Sequence, residues 1–182
     1  CRFPPNLNSP GELFDFLDAG RCAVGTPPAA RPIDLQTTYA PTPGVPGTLY
    51  TQQAGWLTDV AGFDPQLFGI SPREAPAIDP QQRLLLETTW EALERAAIAP
   101  TGLRDTSAGV FVGVMNEDYD DAQALRDLPQ TATAHTAAGS NASMAAGRVA
   151  YTFGLRGPAM SINTACSSSL VAVHLAEIGR AH

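Results

Sequence analysis

The ten residues Ser161-Ile162-Asn163-Thr164-Ala165-Cys166-Ser167-Ser168-Ser169-Leu170 restrict what this chain can fold into more than any other stretch. Ala159 to Asn163 reads as a strand, and from Ser167 to Ile178 the residues Leu170, Val171, His174, Leu175 and Ile178 fall on one side of a helix. A cysteine therefore stands where a strand turns directly into a helix. A second apolar run, Gly109-Val110-Phe111-Val112-Gly113-Val114, is punctuated as a buried strand. Its glycines predict close backbone approach by neighbours. Strands alternating with helices imply an α/β layered architecture.

Earlier in the chain, Ser9-Pro10-Gly11-Glu12 supplies a capping hydroxyl, a first-turn proline and a carboxylate that can reach back, predicting a short helix that ends near Gly20. Asp79-Pro80-Gln81-Gln82 opens the strongest helix, in which Leu86, Trp90, Leu93 and Ala97 share a face. Asn141 is expected to cap a helix through Phe153, with Gly154 as a left-handed stop and Leu155 packing back on the last turn. Prolines and glycines recur from Thr26 to Gly47 without periodicity, the mark of a long irregular surface segment. Residues 117–127 are acidic and polar and are expected at the surface. No internal repeat and no boundary between two domains is visible, so residues 1–182 read as one domain.

Composition narrows the function. The net charge of -7 lacks the basic footprint of a nucleic-acid or anionic-membrane binder, so neither partner is expected. No run approaches the roughly 18 apolar residues of a membrane span, and residues 1–182 contain no charged-then-apolar leader pattern. Three cysteines, Cys1, Cys22 and Cys166, are an odd number at spacings of neither a disulfide framework nor a zinc site, which points to a reducing cytoplasm and to no metal. The chain starts at Cys1 without a Met and stops at His182 directly after an amphipathic pattern, and both ends read as cuts.

At a strand-to-helix turn, Cys166 would face first-turn N–H groups that lack partners, and the helix dipole there favours a thiolate. The small neighbours Ala165, Ser167, Ser168 and Ser169 would let a thioester approach, and the Cys166 backbone N–H is a candidate oxyanion donor. Local features alone also suit a buried core cysteine. No base is evident: His174 is eight residues on, about 12 Å along a helix, and His135 and His182 have no spacing logic.

Thr164-Ala165-Cys166-Ser167-Ser168-Ser169-Leu170-Val171-Ala172 resembles the active-site signature of polyketide synthase ketosynthases. Cys1-Arg2-Phe3-Pro4, Phe68-Gly69-Ile70-Ser71-Pro72-Arg73-Glu74-Ala75, Asp79 to Glu87, Gly109 to Gly113, Ala146 to Tyr151 and Gly154 to Pro158 resemble further family stretches, in the family's order and out to about Ala176. The resemblance implies a thiolase-like fold in α-β-α-β-α layers, usually a homodimer, with this chain most of the first of two halves. It implies that Cys166 takes an acyl chain from the phosphopantetheine arm of an acyl carrier protein. A malonyl-type extender is then decarboxylated and condensed onto it. The phosphopantetheine belongs to the carrier, and no cofactor is bound directly.

In the family two histidines and a lysine from the second half complete the centre. This sequence has no lysine and no histidine in a matching motif, so the chain alone is expected not to condense substrates. Asn163 stands where most polyketide members carry aspartate, and residues 177–182 depart from the pattern. Cys166 argues against loading variants with glutamine in its place. Two rival readings are a noncatalytic dimerisation or docking remnant and a fatty-acid condensing enzyme or thiolase; the triple serine, Arg73-Glu74 and Gln81-Gln82 favour the polyketide type. Arg73, Arg83 and Arg148 read as structural ion-pair partners before carrier-phosphate ligands.

Overall fold

The computed structural model describes residues 1–29, 38–116, 118–119 and 138–180. These form two compact units, Cys1–Gly62 and Phe63–His182. In the first, helix α1 (Pro10–Asp18) starts as its sequence dictates: Ser9 is extended, its Oγ accepts the Glu12 N–H at 3.2 Å, and Glu12 Oε2 accepts the Asn8 N–H at 2.8 Å. Gly20 follows the helix in the left-handed region, and the Arg21 guanidinium lies 4.6 Å over the buried Phe16 ring. Strand β1 (Val24–Gly25) pairs antiparallel with β2 (Ala54–Gly55), and Trp56 Nε1 donates to the Gly25 carbonyl at 3.0 Å. Of the irregular segment between them, residues 30–37 lie outside the described residues.

In the second unit, helix α2 (Pro80–Arg95) is capped by Asp79, whose carboxylate accepts the Gln81 N–H at 2.7 Å. Leu86 is fully buried, and with Ile78, Phe68, Ile70, Val149 and Phe153 it makes the core. Trp90 packs against that core with its ring edge-on to Phe68. Ala97 does not share this face: the helix ends at Arg95, and Ala97 is exposed in the left-handed region beyond it.

Strand β3 (Val110–Gly113), helix α3 (Met144–Phe153) and strand β4 (Ala159–Ile162) form a βαβ unit. The two strands run parallel, with Val110 opposite Ala159 and Gly113 opposite Ile162. Helix α3 ends as expected, on left-handed Gly154 with the Leu155 N–H returning to the Ala150 carbonyl at 2.8 Å. Its start differs. Asn141 Oδ1 accepts the Ser143 N–H in a turn ahead of the helix, and the Ala146 N–H is taken at 3.2 Å by Ser161 Oγ on β4. The orphan donor of the first turn is thus satisfied from another element.

Helix α4 (Ser168–Arg180) matches the expected side only in part: Val171 and Leu175 are half-buried, but Leu170 is 76% exposed, His174 and Ile178 are exposed, and the fully buried positions are Ser168 and Ala172. The cause is close approach: a Cβ on Gly113 would sit 2.8 Å from the Ser169 nitrogen, so only small side chains fit between helix and strand.

Arg148 on α3 ties the unit together. Its Nε donates to Gln82 Oε1 and one terminal nitrogen to Glu74 Oε1, both at 2.7 Å, with only 11% of its side chain exposed. Gln82, at the position where a capping box would send it back to Asp79, instead donates to the Gly139 and Asn141 carbonyls at 2.8 and 3.2 Å. Gly139 is pressed so closely on residues 77 and 78 that a Cβ there would lie 2.0 Å from the Ala77 carbonyl oxygen. Arg83 is structural too, donating to the Ile78 carbonyl and to Tyr119 Oη, as the ion-pair reading of these arginines anticipates only in part.

Four outcomes are expected in unfolding experiments. Arg148→Met takes the guanidinium from the Glu74 carboxylate and from Gln82 Oε1 and lowers stability by about 3 kcal/mol in a denaturant titration. Gly139→Ala destabilises strongly, whereas Gly147→Ala, in the interior of α3 with open space where its Cβ would go, raises stability by about 0.5–1 kcal/mol. Burial pushes the Asp79 carboxyl up, aided by Asp118 and opposed by Gln81 and Arg83. Because the folded chain then holds this proton more tightly than the unfolded one, the Asp79 contribution falls as pH rises from about 4 through the raised value. Asp79→Asn removes that part of the slope in a pH series of melts.

Candidate active site

Strand β4 runs into α4 through residues 163–167, and Cys166 lies exposed in this turn. It stands two residues before the helix proper, because the Val171 N–H closes the first helical bond on the Ser167 carbonyl. One of the first-turn donors expected to be free is engaged: the Ser168 N–H bonds the Ala165 carbonyl at 3.1 Å.

The residue before the cysteine, Ala165, has φ +55. An L-residue with a Cβ is disfavoured there by roughly 1 kcal/mol, so neighbouring groups must hold it. Asn163 Oδ1 accepts the Ala165 N–H at 3.1 Å, and Ser168 Oγ donates to the Ala165 carbonyl at 2.7 Å. The same Ser168 Oγ accepts the Thr164 N–H at 2.9 Å, and Ser167 Oγ donates to the Thr164 carbonyl at 2.8 Å and lies 2.9 Å from Thr164 Oγ1. From the other side Asn163 Nδ2 donates to the Met115 carbonyl at 3.2 Å, tying the turn to the segment after β3. The ladder itself reaches the site, since the Val114 N–H bonds the Ile162 carbonyl.

The serines thus do more than leave room: Ser167 and Ser168 spend their hydroxyls fixing the turn, and Ser168 is 5% exposed. Ser169 instead lines an open, mostly apolar cleft of about 730 Å³ between α2, β3 and α4, whose walls include Leu85, Val112, Phe153 and Ala172. Cys166 does not line that cleft. The roles of Asn163, Ser161 and Ser168 were not read from sequence, although asparagine and serine beside a turn are signals of side-chain-to-backbone bonding.

Cys166 is not the buried core cysteine that its local pattern also suited. His174 sits on the exposed side of α4, and His135 and His182 lie outside the described residues. Among the described residues no cluster of three or more His, Cys, Asp or Glu could hold a metal, and no helix is long and apolar enough to cross a membrane.

This chain is 52% identical over 176 residues to the spectinabilin polyketide synthase system protein NorC of Streptomyces orinoci, covering 97% of the chain but 8% of that protein. It is 50% identical over the same length to an erythronolide synthase of Saccharopolyspora erythraea, covering 5% of it. The chain therefore spans less than a tenth of these curated relatives. Among solved structures it superposes on the oxazolomycin ketosynthase domain of Streptomyces albus with a TM-score of 0.82 at 39% identity, over 96% of this chain and 30% of that one. A module 6 ketosynthase of the bacillaene synthase from Bacillus subtilis gives 0.78 at 33%, over 97% and 27%. The α/β architecture is accordingly the thiolase-like fold of ketosynthases, represented by its N-terminal part. With residues 1–180 matching the family model described as beta-ketoacyl synthase, N-terminal domain, and polyketide synthases as its relatives, the chain belongs to the beta-ketoacyl synthase family.

Proposed function

We propose that Cys166 is the acyl-accepting nucleophile of a polyketide synthase ketosynthase. The observation that carries this reading is the exposed Cys166 on a strand-to-helix turn held from both sides by Asn163 and Ser168. A small, fixed turn presents the sulfur at one orientation, and orientation is a large share of the barrier to acyl transfer.

In the reaction, the Cys166 sulfur attacks the carbonyl carbon of an acyl thioester on the phosphopantetheine arm of an acyl carrier protein. A new C–S bond forms, the C–S bond to the arm breaks, and the arm leaves as a thiol with the proton that Cys166 gave up. The Cys166 backbone N–H serves as one oxyanion donor. A malonyl-type extender then loses CO2, the electron pair of that bond stays on its α-carbon, and the carbon attacks the Cys166 thioester. The new C–C bond gives a β-ketoacyl carrier and returns the cysteine thiolate.

The second step needs groups this chain lacks, namely the two histidines and the lysine that the family takes from the second half of the ketosynthase. That half, the acyl carrier protein and a second copy in a homodimer are the partners proposed, in the cytoplasm. The phosphopantetheine arrives on the carrier and is not held by this chain.

Intact-mass spectrometry after exposure to a hexanoyl-N-acetylcysteamine thioester is expected to show one acyl group on Cys166, none after Cys166→Ala, and no β-ketoacyl product when a malonyl thioester is added. Equal acylation of exposed Cys22, with no preference for Cys166, overturns the assignment.

A further inference from the structure

Asn163 is the one side chain in the turn that bonds in both directions along the fold. Its carbonyl oxygen takes the N–H of left-handed Ala165 at 3.1 Å, and its amide nitrogen donates to the Met115 carbonyl at 3.2 Å, across 48 residues of chain. Only a side chain with an acceptor and a donor at its tip can do both. A carboxylate would keep the first bond and set an oxygen against the Met115 carbonyl, and an aliphatic residue would lose both. The far end of the bridge is firm, because the ladder between β3 and β4 continues through the Val114 N–H to the Ile162 carbonyl on either side of it. Ser168 holds the Ala165 carbonyl but is local to the turn and to α4. Among the described residues Asn163 is the turn side chain that refers the turn to the segment after β3.

We infer that Asn163 is a positioning residue for acyl transfer at Cys166: by holding Ala165 in the left-handed region against the end of β3, it sets the direction of the sulfur. The inference rests on the nucleophile reading of Cys166. It assigns Asn163 no contact with substrate and no proton transfer. Its effect falls on reactions that demand a set angle of approach, since an exposed thiol meets a small flexible electrophile from many directions.

The test compares two reagents at the same sulfur in the full chain. Hexanoyl-N-acetylcysteamine thioester reports angle-dependent acyl transfer, and iodoacetamide reports simple access to the thiol. Asn163→Ala is expected to slow acylation of Cys166 by roughly tenfold, the effect of about one hydrogen bond, while alkylation changes less than about twofold. Glycine enters the left-handed region without the Cβ penalty, so in an Ala165→Gly background the same Asn163→Ala change is expected to cost less than about threefold. An unchanged acylation rate overturns the role. So does a parallel loss with both reagents, which would mean general loosening, or a loss equally large in the Ala165→Gly background. If the unsubstituted chain is alkylated at Cys166 but never acylated there, the nucleophile reading itself fails and takes the positioning role with it.

Discussion

The buried guanidinium of Arg148 is the interaction on which the second unit depends. A charge so nearly removed from water is tolerable only when each of its faces finds a partner. Glu74, Gln82 and the Ala138 carbonyl supply them from three different parts of the chain. Gln82 then passes the constraint on to Gly139 and Asn141, and the Asp79 N–H bonds the Gly139 carbonyl as well. One side chain therefore fixes where α2 begins, where residues 138–141 run, and how α3 enters. Because α3 is the crossover between β3 and β4, its placement decides the position of the strand that leads to Cys166.

The turn at Cys166 is built on the same logic with neutral groups. Ala165 occupies a conformation that costs roughly 1 kcal/mol, and a single neutral hydrogen bond returns about that much. Several are directed at residues 163–168, so the strained backbone is over-determined instead of marginal. The small residues beside the cysteine have two consequences at once. They let α4 ride close on Gly113, and their hydroxyls hold the backbone that presents the sulfur.

Elements whose signals are local were legible in the sequence. Ser9 and Glu12 at the start of α1, Asp79 at the start of α2 and Gly154 at the end of α3 all act through residues within a few positions of themselves, and each is found in its expected role. The two strands β3 and β4 and the cysteine after the second were equally visible, though not that the strands pair in parallel. What was not visible depended on distant partners. Gln82 is drawn from its cap by carbonyls 57 and 59 residues away, Asn141 serves a turn while Ser161 takes over the helix donor, and the exposed side of α4 is set by the glycine it crosses. Periodicity gathered Leu170, Val171, His174, Leu175 and Ile178 on one side of α4, of which Val171 and Leu175 are half-buried and Leu170, His174 and Ile178 are exposed. The space beneath the helix admits Ser168 and Ala172 instead.

The distance in sequence between Asn163 and Met115 has a kinetic side. Bonds within the turn, such as those joining Thr164 and Ser168, span four residues and can form as soon as that stretch meets. The bridge to Met115 and the ladder from Val110 to Ala159 close loops of nearly fifty residues, whose entropy is recovered only when the sheet and α3 assemble together. The Met115 contact that ties the Cys166 turn to the sheet therefore carries a loop-closure cost that the bonds inside the turn do not, so the turn can form its own bonds on a short stretch of chain but is fixed against the sheet only once β3, α3 and β4 are together.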